Sequence, residues 1–220
     1  MTENSKFAYD SCEVNAFFEN CSVIYDRDTL DGAIIDPGGS PEKIRNLVDY
    51  HHVVPKFILI THGHLDHIGA AEAVSAMYGG IDIYGPGKAD EFLLQTIAHQ
   101  SEVRGLPAVK NFLPDRFVKS GDKFTVGGIS VLVRECPGHT PGHVMYVIEN
   151  ENIVFSGDTV FRGSAGRTDF NGGSMEQLCE SIRREFLTLP DETVIVPGHG
   201  DTTTVAEEKA SNPYFLNLMV

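Results

Sequence analysis

The run Thr61-His62-Gly63-His64-Leu65-Asp66-His67 sets four metal-type side chains within six residues, directly after the apolar segment Phe57–Ile60. A short, fully apolar run of that kind reads as a buried strand. The chain therefore leaves a core strand straight into a turn dense with imidazole and carboxylate. Those groups suit a divalent zinc, iron or manganese ion. His62 and His64 alternate and reach one ion, while Asp66 and His67, displaced along the turn, reach a second. Gly63 relieves crowding where its neighbours fold inward. A histidine-rich surface loop would account for this run only if it stood alone.

It does not stand alone. Ile129–Arg134 runs into Cys136-Pro137-Gly138-His139, Ile153–Phe155 into Ser156-Gly157-Asp158, and Thr193–Val196 into Pro197-Gly198-His199. In each case an apolar strand is followed within a few residues by glycine and then a ligand-type side chain. Strands lying side by side would deliver all these groups from their carboxyl ends to one edge of the core, where open α/β architectures bind ligands. His143, in Pro141-Gly142-His143, reads as a residue that orients its neighbours by hydrogen bonds rather than as a ligand. His51, His52 and His99 sit in helical or loop surroundings and read as surface or capping residues.

Between these motifs strands and helices alternate. Val23–Tyr25 and Gly32–Ile35 read as paired strands, and Ser40-Pro41 opens a helix with Ile44, Leu47 and Val48 on its apolar stripe. An alanine-rich helix is predicted over Gly69–Tyr78, stopped by Gly79-Gly80, with a strand at Ile81–Tyr84. Lys88–Ser120 is less regular, with one helix predicted at Ala89–Gln100. Strands follow at Lys123–Val126, His143–Glu149 and Asn152–Phe155. A helix from Ser174 to about Thr188 starts on the capping box Ser174-x-x-Gln177. A short helix can begin at Ala206–Lys209. Two β-rich halves with helices outside imply sheet packed on sheet, covered on both faces.

The chain of 220 residues can bury one sizeable core, and it is read as a single domain spanning 1–220. Its net charge of −14 and scattered basic residues argue against a nucleic-acid partner, and an anionic substrate needs locally placed cations. The stretch from Met1 to Asp10 has no apolar core of signal-peptide length. No segment approaches the roughly 18 apolar residues of a membrane span, so no membrane partner is expected. Four dispersed cysteines without a CxxC read as reduced, mostly buried thiols in a cytoplasmic protein, a Cys12–Cys21 disulfide being the minor alternative.

The combination His-x-His-x-Asp-His with a distant His, Asp and His resembles the metallo-β-lactamase superfamily, from about Asn20 to His199. The resemblance implies an α/β, four-layer αββα sandwich. It assigns a first metal to His62, His64 and His139, a second to Asp66, His67 and His199, and a bridging role to Asp158. Two divalent cations, zinc first and iron or manganese as alternatives, would turn a shared water into a hydroxide nucleophile near neutral pH. Asp66 could orient that nucleophile and carry its proton. The β-lactamase subclass with cysteine in place of Asp158, the flavodiiron enzymes and the nucleases of the fold fit less well.

The stretch Gly157-Asp158-Thr159-Val160-Phe161-Arg162-Gly163-Ser164-Ala165-Gly166-Arg167-Thr168-Asp169-Phe170, with Pro197-Gly198-His199-Gly200, is similar to compact members of the glyoxalase II group. That similarity implies hydrolysis of a small-molecule thioester, S-lactoylglutathione or another glutathione-derived compound. Arg167 then meets a substrate carboxylate, or else pairs with Asp169 to hold its loop. The longer enzymes of that group carry a C-terminal helical glutathione-binding domain that this chain is read as lacking. Persulfide dioxygenases, with one iron on His62, His139 and Asp158, share Gly-Arg-Thr-Asp-Phe. Pro-Gly-His-Gly at His199 favours the hydrolases.

Overall fold

The computed structural model describes residues 5–106 and 108–219. The first four residues of the stretch read above for a leader, Pro107 of the irregular middle segment and the terminal Val220 lie outside them. The first sheet follows chain order: β1 (Phe7–Glu13), β2 (Asn20–Asp26), β3 (Asp31–Ile35), β4 (Val54–Leu59), β5 (Asp82–Gly87) and β6 (Arg116–Val118). The second comprises β7 (Lys123–Val126), β8 (Ile129–Glu135), β9 (Val144–Ile148), β10 (Ile153–Gly157), β13 (Val194–Pro197) and β14 (Thr203–Thr204). A small hairpin, β11 (Val160–Phe161) and β12 (Ser164–Ala165), stands apart.

Period-two alternation shows how these strands are covered. Phe57 and Leu59 of β4 enter the core between the sheets, whereas Ile58 and the following Ile60 enter the cluster on the outer face. In the second sheet Ile153 and Phe155 of β10 point to the shared core, and Val154 points to the opposite face. Both faces are buried, so these strands read as continuous apolar runs rather than as alternating ones. Helices α1 (Pro41–Tyr50) and α3 (Ala71–Met77) cover the first sheet with Ile44, Val48, Ala71 and Val74. The second is covered by Leu178 of α6 (Met175–Ser181), by Val205 of α7 (Val205–Ser211), by Phe215 of α8 (Pro213–Leu218), and by Ile182 and Phe186. Three apolar layers between four structural layers make the αββα sandwich.

Several elements depart from expectation. The alanine-rich helix expected over Gly69–Tyr78 is α3, but the ligand turn before it is itself helical and forms the additional short α2 (Leu65–Ile68). The helix predicted at Ala89–Gln100 is a 3₁₀ turn at Lys88–Asp90 followed by α4 (Glu91–Leu94) and α5 (Ile97–Val103). The Ser174-capped helix widens into a π turn over Ile182–Phe186. The Ser174 hydroxyl accepts from the Gln177 amide at 3.3 Å, one half of the capping box, while the Ser174 amide donates to the Gly138 carbonyl at 2.8 Å in place of the other half. All four cysteines are free thiols, although Cys12 and Cys21 stand opposite each other in the β1–β2 register. Burial pushes the Cys12 thiol up to about 11. Among the described residues no helix is long and apolar enough to cross a membrane.

The ligand-bearing strands do not lie in one sheet. β4 belongs to the first, whereas β8, β10 and β13 run in one common direction within the second. Cross-sheet hydrogen bonds bring their ends together. The Val144 amide donates to the Thr61 carbonyl at 2.9 Å, the Tyr146 hydroxyl to the Ile60 carbonyl at 2.7 Å, and the Asn20 amide to the Gly198 carbonyl at 2.8 Å.

Candidate metal centre

All seven ligand candidates converge at this shared edge. His64 Nδ1 lies 3.1 Å from His62 Nε2 and 2.9 Å from His139 Nε2. His67 Nε2 lies 3.3 Å from His199 Nε2, and Asp66 Oδ2 lies 3.4 Å from that same His199 nitrogen. Two triads result, His62–His64–His139 and Asp66–His67–His199, each with its ligand atoms within 4.8 Å of one another. Asp158 stands between them. Its Oδ2 is 3.5 Å from His139 Nε2 and 3.6 Å from His199 Nε2, and its Oδ1 is 3.3 Å from His67 Nε2.

Hydrogen bonds at the far side of four imidazoles decide which nitrogen faces inward. His67 Nδ1 donates to Asp36 Oδ2 at 2.9 Å, His139 Nδ1 to the Arg167 carbonyl at 2.7 Å, and His199 Nδ1 to the Phe17 carbonyl at 3.0 Å. His62 Nδ1 meets Thr61 Oγ1 at 3.1 Å, and that hydroxyl donates to Asp36 Oδ2 at 2.6 Å. With Nδ1–H committed, the Nε2 of each neutral ring turns a lone pair to the centre. Lone pairs cannot bond one another. Asp158 Oδ1 is likewise buried without a hydrogen-bond partner. This set of imidazole nitrogens and carboxylates fits divalent cations, and the three nitrogens of His62, His64 and His139 that face one another, all acceptors in the neutral rings, are satisfied by a cation rather than by each other.

His143 differs. Its Nε2 accepts from the Asp158 amide at 3.0 Å, and its Nδ1 meets Thr159 Oγ1 at 3.2 Å. Both nitrogens are thereby used in seating Asp158. His51 caps α1 and contacts Asp10 at 2.8 Å, and His52 and His99 are exposed.

Burial holds His62 and His143 well below the usual imidazole range and brings His64 down to about 3, the neighbouring imidazoles adding to the effect. Burial opposes charge on His67 and His199 too. Asp158 and Asp36 overcome it at His67, and Asp66 and Asp158 do so at His199, so both are raised. Asp66 and Asp158 are lowered, their histidine partners outweighing burial. In metal-free protein the lowered groups stay unprotonated when the unfolded chain takes up protons, so stability falls as pH drops below the ordinary imidazole value of 6.5. His67 and His199 contribute fully below that value and lose their contribution as pH rises through their raised values. Melting temperature in chelator is therefore expected to peak near neutrality and fall on both sides. A flat profile between pH 7 and pH 4 would contradict this.

The centre opens into a cleft of about 550 Å³ lined by Phe17, Phe161, Phe170, Arg104 and Arg167 together with His64, Asp66, His139, Asp158 and His199. Arg167 donates from Nε and Nη2 to both oxygens of Asp169, each at 2.6 Å, and lies over the Phe170 ring at 4.3 Å. Its loop-holding pair is thus formed, and its carbonyl orients His139.

Three positioning carboxyl groups escaped the sequence reading. Asp36 follows an apolar strand and precedes Pro37-Gly38, the same signal that exposed the other ligand loops. Asp90 accepts from the Gly63 amide, the Thr140 hydroxyl and the Gly142 amide at 2.9, 2.7 and 2.6 Å, tying the two histidine turns together. It sits in the irregular segment, where no local pattern marks it. Glu19 is fully buried 3.9 Å from His67 Nδ1, neither oxygen hydrogen-bonded, and burial raises its pKa well above the carboxylate range.

Comparison with known proteins agrees with this architecture. Residues 14–199 match the model of the metallo-beta-lactamase superfamily. The chain is 42% identical to the hydroxyacylglutathione hydrolase GloC of Haemophilus influenzae, over 93% of this chain and 95% of that one. Among solved structures, the BLEG-1 B3 metallo-beta-lactamase superposes with a TM-score of 0.86 at 32% identity, covering 94% of this chain and 99% of that one. The protein TTHA1623 in a di-iron-bound form superposes with a TM-score of 0.82 at 33% identity, covering 93% and 99%.

Proposed function

The chain belongs to the metallo-β-lactamase superfamily as a metal-dependent hydrolase, and we propose that it holds two divalent cations and hydrolyses thioesters of the S-lactoylglutathione type. One observation carries the binuclear reading: the Asp158 carboxylate stands between two complete triads, within 3.6 Å of a nitrogen in each. His62, His64 and His139 would hold one cation, and Asp66, His67 and His199 the other, with Asp158 common to both. The bound pair would supply Lewis-acid activation of a water and of the thioester carbonyl.

The chain's own residues do the rest. Asp66, half-buried at the cleft, takes the proton of the attacking water and returns it to the departing thiolate. Phe17, Phe161 and Phe170 wall the cleft and limit solvent around the reacting carbonyl. His143 fixes the loop of Asp158 through its amide, and Asp36 fixes His67 and, through Thr61, His62. Arg167 retains Nη1 for a substrate carboxylate while Asp169 occupies Nε and Nη2. The similarity to a hydroxyacylglutathione hydrolase over nearly the whole of both chains supports a thioester over other acyl substrates, and the free thiols suit a cytoplasmic setting. The choice among zinc, iron and manganese rests with elemental analysis, a di-iron relative of this fold being known.

The deciding experiment runs three substrates side by side on metal-loaded protein: S-lactoylglutathione, glutathione persulfide with oxygen consumption recorded, and a β-lactam. Thioester turnover without oxygen uptake is expected, with two ions per chain by elemental analysis. Oxygen uptake with one iron per chain would replace this reading by a persulfide dioxygenase. Failure to turn over the thioester at full loading would reject it.

A further inference from the structure

Resting on the thioesterase reading, we infer that Arg104 is a specificity residue, the cation that receives a carboxylate on the thiol arm of the substrate. The argument begins with charge. At a net −14 the molecule as a whole repels an anionic substrate, so binding requires a local cation. Two arginines and no lysine line the cleft of the metal centre among the described residues, Arg104 and Arg167. They come from different halves of the sandwich. Arg104 ends α5, whose Ile97 packs outside the first sheet, and Arg167 follows β12 on the side of the second.

The two guanidinium groups are in different states. Arg167 is engaged by both oxygens of Asp169 and is stacked on Phe170. Arg104 makes one hydrogen bond, from Nη1 to the Gln100 carbonyl at 3.2 Å, and no carboxylate lies within ion-pair distance among the described residues. One of its five N–H donors is therefore used, and the rest of a planar fork suited to a carboxylate stays open to the cleft. A purely local role, capping the end of α5, is satisfied by the Gln100 contact and needs no lining position in the cleft. The thiol arm is the side that needs this cation: a hydroxyacyl group carries no charge, whereas a glutathionyl arm carries two carboxylates.

The test compares wild type with Arg104→Ala and Arg104→Lys, metal-loaded, on S-lactoylglutathione and on the uncharged lactoyl thioester of N-acetylcysteamine. The preference for the anionic over the neutral substrate, as the ratio of their kcat/KM values, is expected to fall about tenfold in Arg104→Ala, the size of one charge-assisted pair. The loss should appear in KM, with partial recovery in Arg104→Lys. A second readout is calorimetric binding of S-methylglutathione, which cannot be hydrolysed, and it should weaken by a similar factor. Equal losses on both substrates, or no change, would overturn the assignment and leave Arg104 a loop-supporting residue. So would S-methylglutathione binding that is undetectable in wild type or indifferent to Arg104. Arg104-dependent binding without thioester turnover would instead reject the reaction and keep the carboxylate site.

Discussion

Alanine at position 158 is expected to leave neither metal position competent, with loading below one ion per chain and thioester turnover reduced by about a thousandfold or more. Asp158 is the residue that approaches both triads, with Oδ2 at 3.5 Å from His139 Nε2 and 3.6 Å from His199 Nε2 and with Oδ1 at 3.3 Å from His67 Nε2. Two divalent ions at the separation usual for such pairs, roughly 3.5–4 Å, repel strongly, and a shared carboxylate is what makes that separation tolerable. Without it Asp66 is the one remaining carboxylate in the ligand set, against four positive charges. The contrasting variant is His143→Ala. His143 is occupied by the Asp158 amide and Thr159 and directs no free nitrogen to the ions, so its loss is expected to lower the melting temperature while retaining most of the metal. Elemental analysis of the two proteins decides the matter, and equal metal loss in both would overturn the division of roles.

How far the chain betrays itself depends on whether the relevant contact is local. The metal-type turns after β4 and β10 were legible because those strands end in fully buried apolar runs, whereas β8 before His139 alternates buried and half-buried residues and was marked by its period of two. Phe57–Ile60 and Ile153–Phe155 serve two apolar layers at once and therefore look like nothing else. β1 was not legible for the opposite reason. Phe7–Glu13 pairs with β2 alone and is mostly half-buried, so polar residues interrupt any pattern. The division of Ala89–Gln100 into separate turns follows from Asp90, whose side chain is drawn to amides and a hydroxyl of two other loops. No neighbour in sequence announces such bonds. Asp36 could have been found by the rule that found Asp158, an apolar strand ending in carboxylate beside glycine. Glu19 could not, since its place beside His67 comes from the Asn20–Gly198 hydrogen bond and the bridge between Glu19 and His199.

The other large effect is expected from a residue that ligates nothing. A β-carbon at Gly38 would fall 1.5 Å from the Asp66 carbonyl oxygen, 2.4 Å from its carbonyl carbon and 2.6 Å from Glu19 Oε2. Two of those three atoms are backbone, so no rotamer change relieves the overlap, and the start of α2 must move. α2 carries Asp66 and His67, two of the three ligands of the second triad. By contrast, His62 and His64 hang from the end of β4, and His139 follows β8. Gly38→Ala is therefore expected to remove the second ion selectively, halving metal content, and to destabilise the fold by about 3 kcal/mol, the upper part of the range for overpacked sites. Gly79→Ala supplies the control. Gly79 has a φ of +82° with nothing within 4 Å of its β-carbon position, so alanine there meets backbone strain of roughly 1–2 kcal/mol but no neighbour. That variant should keep both ions. If Gly38→Ala also keeps two ions per chain, or loses both together, the second triad does not depend on the approach of Gly38 to α2, and the two metal positions are not separable in this way.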